Sequence, residues 1–478
     1  MQNHTVNVPA PRGERPTPSA TPRNAKNSLP NPVRIGFPGL DPERIFDATR
    51  QAGYLYCDLF CELGFQTRLR SQNRIEDVRF HTVQGAVLRA FDGHRNRTIT
   101  TTDPTTEGLL KALGLPTPGG TPRDYFRGPI PVVDAAHTED KFTFLTTFAR
   151  QLWNDVSPVG MPAVTYEDSR RYTLTADSEG TLITGSEEQA SIVAEWLMET
   201  EGKLVRRRAE HHRHDIESLL NDLKASPRLR ERILNALADR QRWPAPQGPV
   251  PVLWSSLVFA KLNGLFLRAF EGDTFLAGRS FLSSAQGLPF RYRIEESIAP
   301  ASAPTDHEGA TRRTLVLLQD GKPRGLACNR HIAEQMGVAS TGHARRTSYR
   351  DPATIALWAP RLIAEPTEDD LLGPMTQGLY VDDIEVLSFH TATGDIRFRL
   401  SEACLVHHGE KGEPIEPVLI DAHLPTLLQD CHQFSAATDV TGLRQCKAGQ
   451  DFIVEITAPA ALSLPLDIPG SVPPSNYW

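Results

Sequence analysis

Residues 210 to 215, Glu-His-His-Arg-His-Asp, place three histidines and two carboxylates in six positions, directly after Arg206, Arg207 and Arg208. Imidazole is the commonest protein ligand for zinc, so metal chemistry is the first question this stretch raises. His211 and His214 stand three apart and would share one helix face with Asp215. Against a metal, the triple arginine raises the local positive potential, and no His-Glu-x-x-His framework supplies a base beside a metal-bound water. The stretch is therefore expected to be a solvated strand end or helix start, with Asp215 capping the following helix.

His407 and His408 are adjacent, and neighbours on a strand point to opposite faces, so a hairpin tip is expected there rather than a shared ion. Lone histidines such as His81, His331, His343, His390, His423 and His432 read as core or surface residues. The serine-hydrolase elbow, the phosphate-binding P-loop and the dinucleotide glycine fingerprint are all missing. Cys61, in "CELGF", could be a nucleophile, but free cysteine is usually buried and inert, so a half-buried strand residue is expected.

These groups must be positioned by a chain of 478 residues, more than one core usually supports. The Pro- and Arg-rich residues 1 to 31 read as a flexible arm with no secretory signal. Residues 32 to 244 read as an α+β domain with an antiparallel sheet, and 245 to 478 as a mainly β domain. The junction falls at the proline cluster after Arg242. Six cysteines without a CxxC pair argue for reduced thiols rather than a disulfide framework. A net charge of −7 opposes nucleic-acid binding, and no run of roughly 18 apolar residues could cross a membrane as a helix. A cytoplasmic protein is expected.

Within the first domain, "PERIFDATRQAG" is a predicted helix closed by Gly53, and "TEGLLKALGL" a second. "TEDKFTFLTTFARQLWND" carries Phe142, Phe144, Leu145, Phe148 and Leu152 at helical spacing. Alternating runs between 54 and 103 and between 164 and 196 predict strands, the latter around the turn Ser178-Glu179-Gly180. "DIESLLNDLKASPRLRERILNALADRQRW" is a predicted helical segment. In the second domain, "SSLVFAKLNGLFLRAF" predicts a core helix burying Val258, Leu262, Leu265, Phe266 and Ala269. Short alternating runs such as "RRTLVLLQDG", "GLYVDDIEVLSF" and "DFIVEITA" predict strands.

At "LNGLFLRAFEGDTFLAGRSFLSSAQG" the sequence resembles the TldD/PmbA family. The segments "FQTRLRSQNRIEDVRFHTVQGAVLRAFDG", "DHEGATRRTLVLLQDGKPRGLACNRHIAEQMGVASTGHARR", "TATGDIRFRLSEACLVHHGEKGEPIEPVLIDAHL" and "GLRQCKAGQ" agree with it in order. In the TldD branch, zinc is held by H-E-x-x-x-H, just before an E-G-D triplet, and by a cysteine near the C-terminus. With Glu271, Gly272 and Asp273 as anchor, the two histidines fall at Asn263 and Arg268 and the glutamate at Gly264. Arg268 offers no lone pair, and Gly264 cannot act as a base. Only Cys446 stands at a ligand-like position, in a segment one residue shorter than the TldD pattern. "GRSFL" likewise resembles the TldE, or PmbA-like, branch, which lacks the zinc motif.

The resemblance implies a non-catalytic subunit without cofactor, joined in a heterodimer to a TldD-like zinc metalloprotease that acts on peptides or peptide-like natural product precursors. Neither nucleic acid nor membrane is an expected partner. Arg268, Arg279, Asp306, Glu308 and Arg345, charged groups in matched segments, are candidates to contact substrate in a shared chamber. Two alternatives are a homodimeric hydrolase using Cys446 or Cys61 as nucleophile, and a regulatory protein acting on a nucleic-acid enzyme.

Overall fold

The structure is a computed structural model, and it describes residues 34–35, 37–72, 75–117, 119, 128–129, 141–143, 145–150, 161–200, 203–225, 241–283, 290–298 and 304–469. The arm at 1 to 31, most of the segment 226–242, and Phe144 and Leu152 lie outside the described residues or nearly so.

Helix α1 (Pro42–Gln51) begins where Asp41 accepts a hydrogen bond from Arg44 N and Pro42 supplies a preset φ; it buries Ile45 and Phe46. Gly53 follows with φ +90, the conformation expected of a helix-terminating glycine. The first sheet contains β1 (Tyr56–Gln72), β2 (Ile75–Phe91), β3 (Asn96–Thr101), β4 (Met161–Asp177), β5 (Leu182–Thr200) and β6 (Lys203–Arg213), in the order β3-β2-β1-β4-β5-β6. All its pairings are antiparallel.

Side-chain alternation explains the layering. On β1, Leu59, Cys61 and Leu69 are buried under α1, α2 (Thr106–Leu113) and α3 (Ile216–Ala225), with the helical residues Leu145 and Phe148 alongside α3. Gly114, at φ +77, ends α2. The opposite face of β1 carries Glu62, Gln66 and Arg68, and turns toward the segment 345–358.

The second sheet is built from β7 (Gln247–Trp254), β8 (Tyr292–Glu296), β9 (Leu315–Gln319), β10 (Lys322–Pro323), β11 (Pro360–Ala364), β12 (Gln377–Phe389), β13 (Asp395–His407), β14 (Glu410–Pro414), β15 (Val418–His423), β16 (Cys431–Lys447) and β17 (Gln450–Pro469). Its main path runs β10-β9-β8-β11-β17-β7-β12-β13-β14, with β15 added to β13 and β16 to β17. Two pairings are parallel, β11 with β17 and β7 with β12.

Three hairpin turns share one solution. Asp320-Gly321, His408-Gly409 and Ala448-Gly449 each place two successive residues at positive φ. That is the turn whose twist matches paired strands. It accounts for His408 at a hairpin tip.

Helix α4 (Ser256–Phe266), capped by Ser255, continues as a 3₁₀ turn (Leu267–Phe270) and lies against β16 and β17 inside the largest apolar cluster. Val258, Leu262, Phe266 and Ala269 are fully buried and Leu265 partly. Among the described residues, no helix is long and apolar enough to cross a membrane.

Candidate functional site

Helix α4 and the 3₁₀ turn after it carry the three positions, and Asn263 and Gly264 lie in the core. Asn263 has no exposed surface; its Nδ2 donates to Phe259 O at 2.9 Å, and its Oδ1 accepts the Tyr292 hydroxyl at 2.9 Å. Gly264 faces the sheet, where an added Cβ would lie 2.9 Å from Leu443 Cδ1, 3.1 Å from Gln445 Nε2 and 3.2 Å from Ile456 Cδ1. Gln445 also donates to Gly264 O at 3.0 Å. Arg268 is half-buried on the 3₁₀ turn.

The corner after that turn is held from both sides. Ala327 donates to Phe270 O and Gly272 donates to Ala327 O. A side chain at Gly272 would press on Cys328 Sγ at 2.8 Å, Ile332 Cγ2 at 2.8 Å and Ala327 O at 3.0 Å, so glycine is required by contact. Across from this corner stands Lys447. Its ammonium donates to Glu271 Oε2 at 2.7 Å, Asp273 Oδ1 at 3.0 Å and Ile355 O at 2.7 Å. Glu271 is buried, and burial raises its pKa while the Lys447 charge and hydrogen bond oppose the rise.

Strand parity decides where Cys446 goes. Gln445 and Lys447 reach α4 and the corner, so Cys446, between them on β16, points to the other face and is exposed. The structure therefore does not bring Cys446 together with Asn263, Gly264 and Arg268. The donors present do not fit zinc: the amide oxygen is occupied, glycine has no ligand atom, and two cationic side chains stand nearby. Among the described residues, no group of three or more His, Cys, Asp or Glu side chains is disposed to hold a metal ion.

Cys61, expected half-buried, is completely buried, and burial pushes its thiol pKa up strongly. A thiol there is not poised as a nucleophile.

The stretch 210 to 215 ends β6 and starts α3, with Asp215 Oδ1 accepting from Ser218 N at 2.7 Å. It is not solvated as expected: His211 and His212 are buried. His211 Nε2 and Arg213 Nε both meet Asp222, at 2.8 and 2.5 Å, while His214 Nε2 donates to Ile453 O at 2.9 Å. The three imidazoles are thus spread over α3, the interior and β17.

A second charged centre lies between the first sheet and the segment 345–358, around a cavity of about 100 Å³. Arg171 on β4 pairs with Glu187 on β5, and His307 Nε2 lies 2.5 Å from the same carboxylate. Arg346 N donates to His307 Nδ1 at 2.8 Å, which fixes the proton of the neutral ring on Nε2. Burial lowers the His307 pKa to about 4, against the pull of Glu187. Burial disfavours the Glu187 charge, but Arg171 and His307 hold its pKa well below the usual carboxylate range.

Of the candidate chamber residues, only Arg345 borders this cavity. It is buried, stacks on Trp358 at 3.9 Å, and donates to Leu357 O at 2.5 Å. Burial brings its pKa down to about 9. Asp306 spends its oxygens on Glu308 N, Ala310 N and Ala344 N, each at 2.9 Å. Glu308 accepts from Arg330 N at 3.1 Å and lies 3.8 Å from Arg89. Both carboxylates are buried loop fasteners, whereas Arg279 is exposed. Sequence reasoning passed over Lys447, Tyr292 and His307; the acidic pair Glu271 and Asp273 was a signal that a counter-cation was needed nearby.

Residues 247–463 match the model of the PmbA/TldA metallopeptidase C-terminal domain, so this part of the chain is similar to the TldD/PmbA family. Among curated proteins it is similar to a metalloprotease TldD homolog of Haemophilus influenzae, 24% identical over half of this chain and 52% of that protein. It is also similar to a metalloprotease of Synechocystis, 27% identical over 55% of this chain and 58% of that protein. The match thus spans somewhat more than half the length of these relatives. The crystal structure of TldE from Thermococcus kodakarensis shares the fold, with a TM-score of 0.66 at 17% identity, over 87% of this chain and 97% of that one.

Proposed function

We propose that this chain is the non-catalytic, TldE-like subunit of a heterodimeric zinc metalloprotease. Its TldD-like partner carries the metal, and the pair cleaves peptides or peptide-like natural product precursors. One observation carries the reading: the helix that the family resemblance assigns to zinc offers Asn263, Gly264 and Arg268, with the Asn263 amide committed to Phe259 and Tyr292. A metal-bound water needs several protein ligands and a nearby base, and this helix supplies neither. The similarity to TldD-type metalloproteases supports a role in proteolysis.

The test is the metal content of the purified chain alone and after co-expression with a TldD-like chain bearing H-E-x-x-x-H, together with peptide cleavage by each. Zinc and activity are expected only when the partner is present. Stoichiometric zinc in the isolated chain, or cleavage by it alone, would overturn the proposal.

A further inference from the structure

We propose that the Lys447 ammonium is a tethered structural cation, the chain's own occupant of an oxygen-lined cation site formed by Glu271, Asp273 and the Ile355 carbonyl. The inference stands apart from the heterodimer reading, because it concerns what holds this corner together whatever the chain pairs with.

Three observations carry it. The ammonium has three N–H donors, and each finds an oxygen at 2.7 to 3.0 Å, so its hydrogen-bonding capacity is filled by the protein. Those oxygens come from two segments, the acidic corner after α4 and the short strand Thr354–Ile355, and Lys447 itself adds the end of β16. Glu271 is buried, so its charge requires a partner held in place. Two carboxylates and a carbonyl are also the oxygen donors that hard cations such as Mg²⁺ and Ca²⁺ use, so this pocket favours positive charge in general.

Lys447 delivers that charge from a rigid support. Its strand ends in the tight turn at Ala448 and Gly449, and Lys447 pairs with Gln450 across it. Gln450 in turn accepts from Thr347 N at 2.9 Å and donates to Pro352 O at 2.9 Å, which anchors the hairpin end. The site therefore ties the corner and the short strand at Ile355 to the sheet through one side chain.

The test uses the full chain and thermal unfolding. Lys447→Met keeps the stem but not the charge, and should lower Tm by at least about 5 °C, the scale expected for stranding a buried carboxylate. Lys447→Ala opens space at the site, and ethylammonium or Mg²⁺ should restore most of its loss. Tetramethylammonium at equal ionic strength, with no N–H to donate, should not. Should the single variants fail to fold, Lys447→Met combined with Glu271→Gln removes the stranded charge and should recover folded protein. An unchanged Tm in Lys447→Met, equal effects of the two ammonium ions, or a double variant no better than the single one would each overturn the proposal.

Discussion

Tyr292 on β8 donates its hydroxyl to Asn263 on α4 at 2.9 Å, and both side chains are buried. This bond stands where the family resemblance puts the first histidine, so it separates restoring that motif on paper from restoring it in the protein. Tyr292→Phe should cost about 1–3 kcal/mol, because Asn263 Oδ1 is left buried without a donor. The triple substitution Asn263→His, Gly264→Glu and Arg268→His should not yield a zinc protein. A glutamate at 264 begins with contacts of 2.9 to 3.2 Å to Leu443, Gln445 and Ile456. Metal analysis and denaturant unfolding of that variant check both expectations: a folded chain with stoichiometric zinc would show that the sheet yields.

His307 makes stability depend on pH with a definite sign. Its pKa is lowered by burial to about 4 from 6.5, so the unfolded chain takes up a proton first as pH falls. Its contribution is present above about 6.5 and is lost as pH falls toward 4. Glu296 and Asp306 act oppositely: burial raises both to about 6, so their contributions are fully present at low pH and are lost as pH rises through 6. Total stability mixes these signs, but a difference experiment isolates the imidazole. The destabilisation caused by His307→Gln should be largest at pH 7 and shrink by on the order of 3 kcal/mol by pH 4, as read from unfolding curves at each pH.

Gly442 marks a close approach of the two sheets. A Cβ there would overlap the His212 carbonyl at the end of β6. Its backbone is not in the left-handed region, so the requirement for glycine is one of space alone. Gly442→Ala should separate β16 from β6, giving faster proteolysis near residue 214 and a Tm lower by several degrees. Gly180→Ala, at an open turn with φ +101, should cost about 1 kcal/mol through strain and leave the proteolytic pattern unchanged.

The thiols should sort by exposure. Cys446 is exposed, while Cys57, Cys61, Cys328 and Cys431 are buried. Burial pushes Cys57 up to about 12 and Cys328 up to about 11, so little thiolate forms near neutrality. Brief alkylation of the native chain, followed by mass spectrometry, should label Cys446 first. Under the heterodimer reading, Cys446→Ser leaves peptide cleavage by the complex intact; loss of cleavage with retained assembly would revive a thiol mechanism.

The layout was legible where local chemistry and tertiary demand agree. Gly53 ends α1 where the sequence predicts, and the alternation on β1 separates the apolar face from the polar one. It was less legible where distant segments meet. The burial of His211 and His212 depends on strands and helices far along the chain, so a charge-rich stretch read as solvated is in fact enclosed. Asp306 and Glu308 looked available to a ligand because sequence does not reveal three backbone N–H groups aimed at one carboxylate. That Gly264 and Arg268 have no side-chain lone pair to offer a metal follows from residue type alone and needs no coordinates.

The two-residue rhythm of β16 makes its chemistry sensitive to length. Lys447 faces the acidic corner and Cys446 faces away because they are neighbours on an extended strand. One residue gained or lost in this hairpin would exchange the two, presenting sulfur where nitrogen now stands. A slip of one residue in hairpin length would thus change the chemistry facing the acidic corner, with no change in the letters on either side.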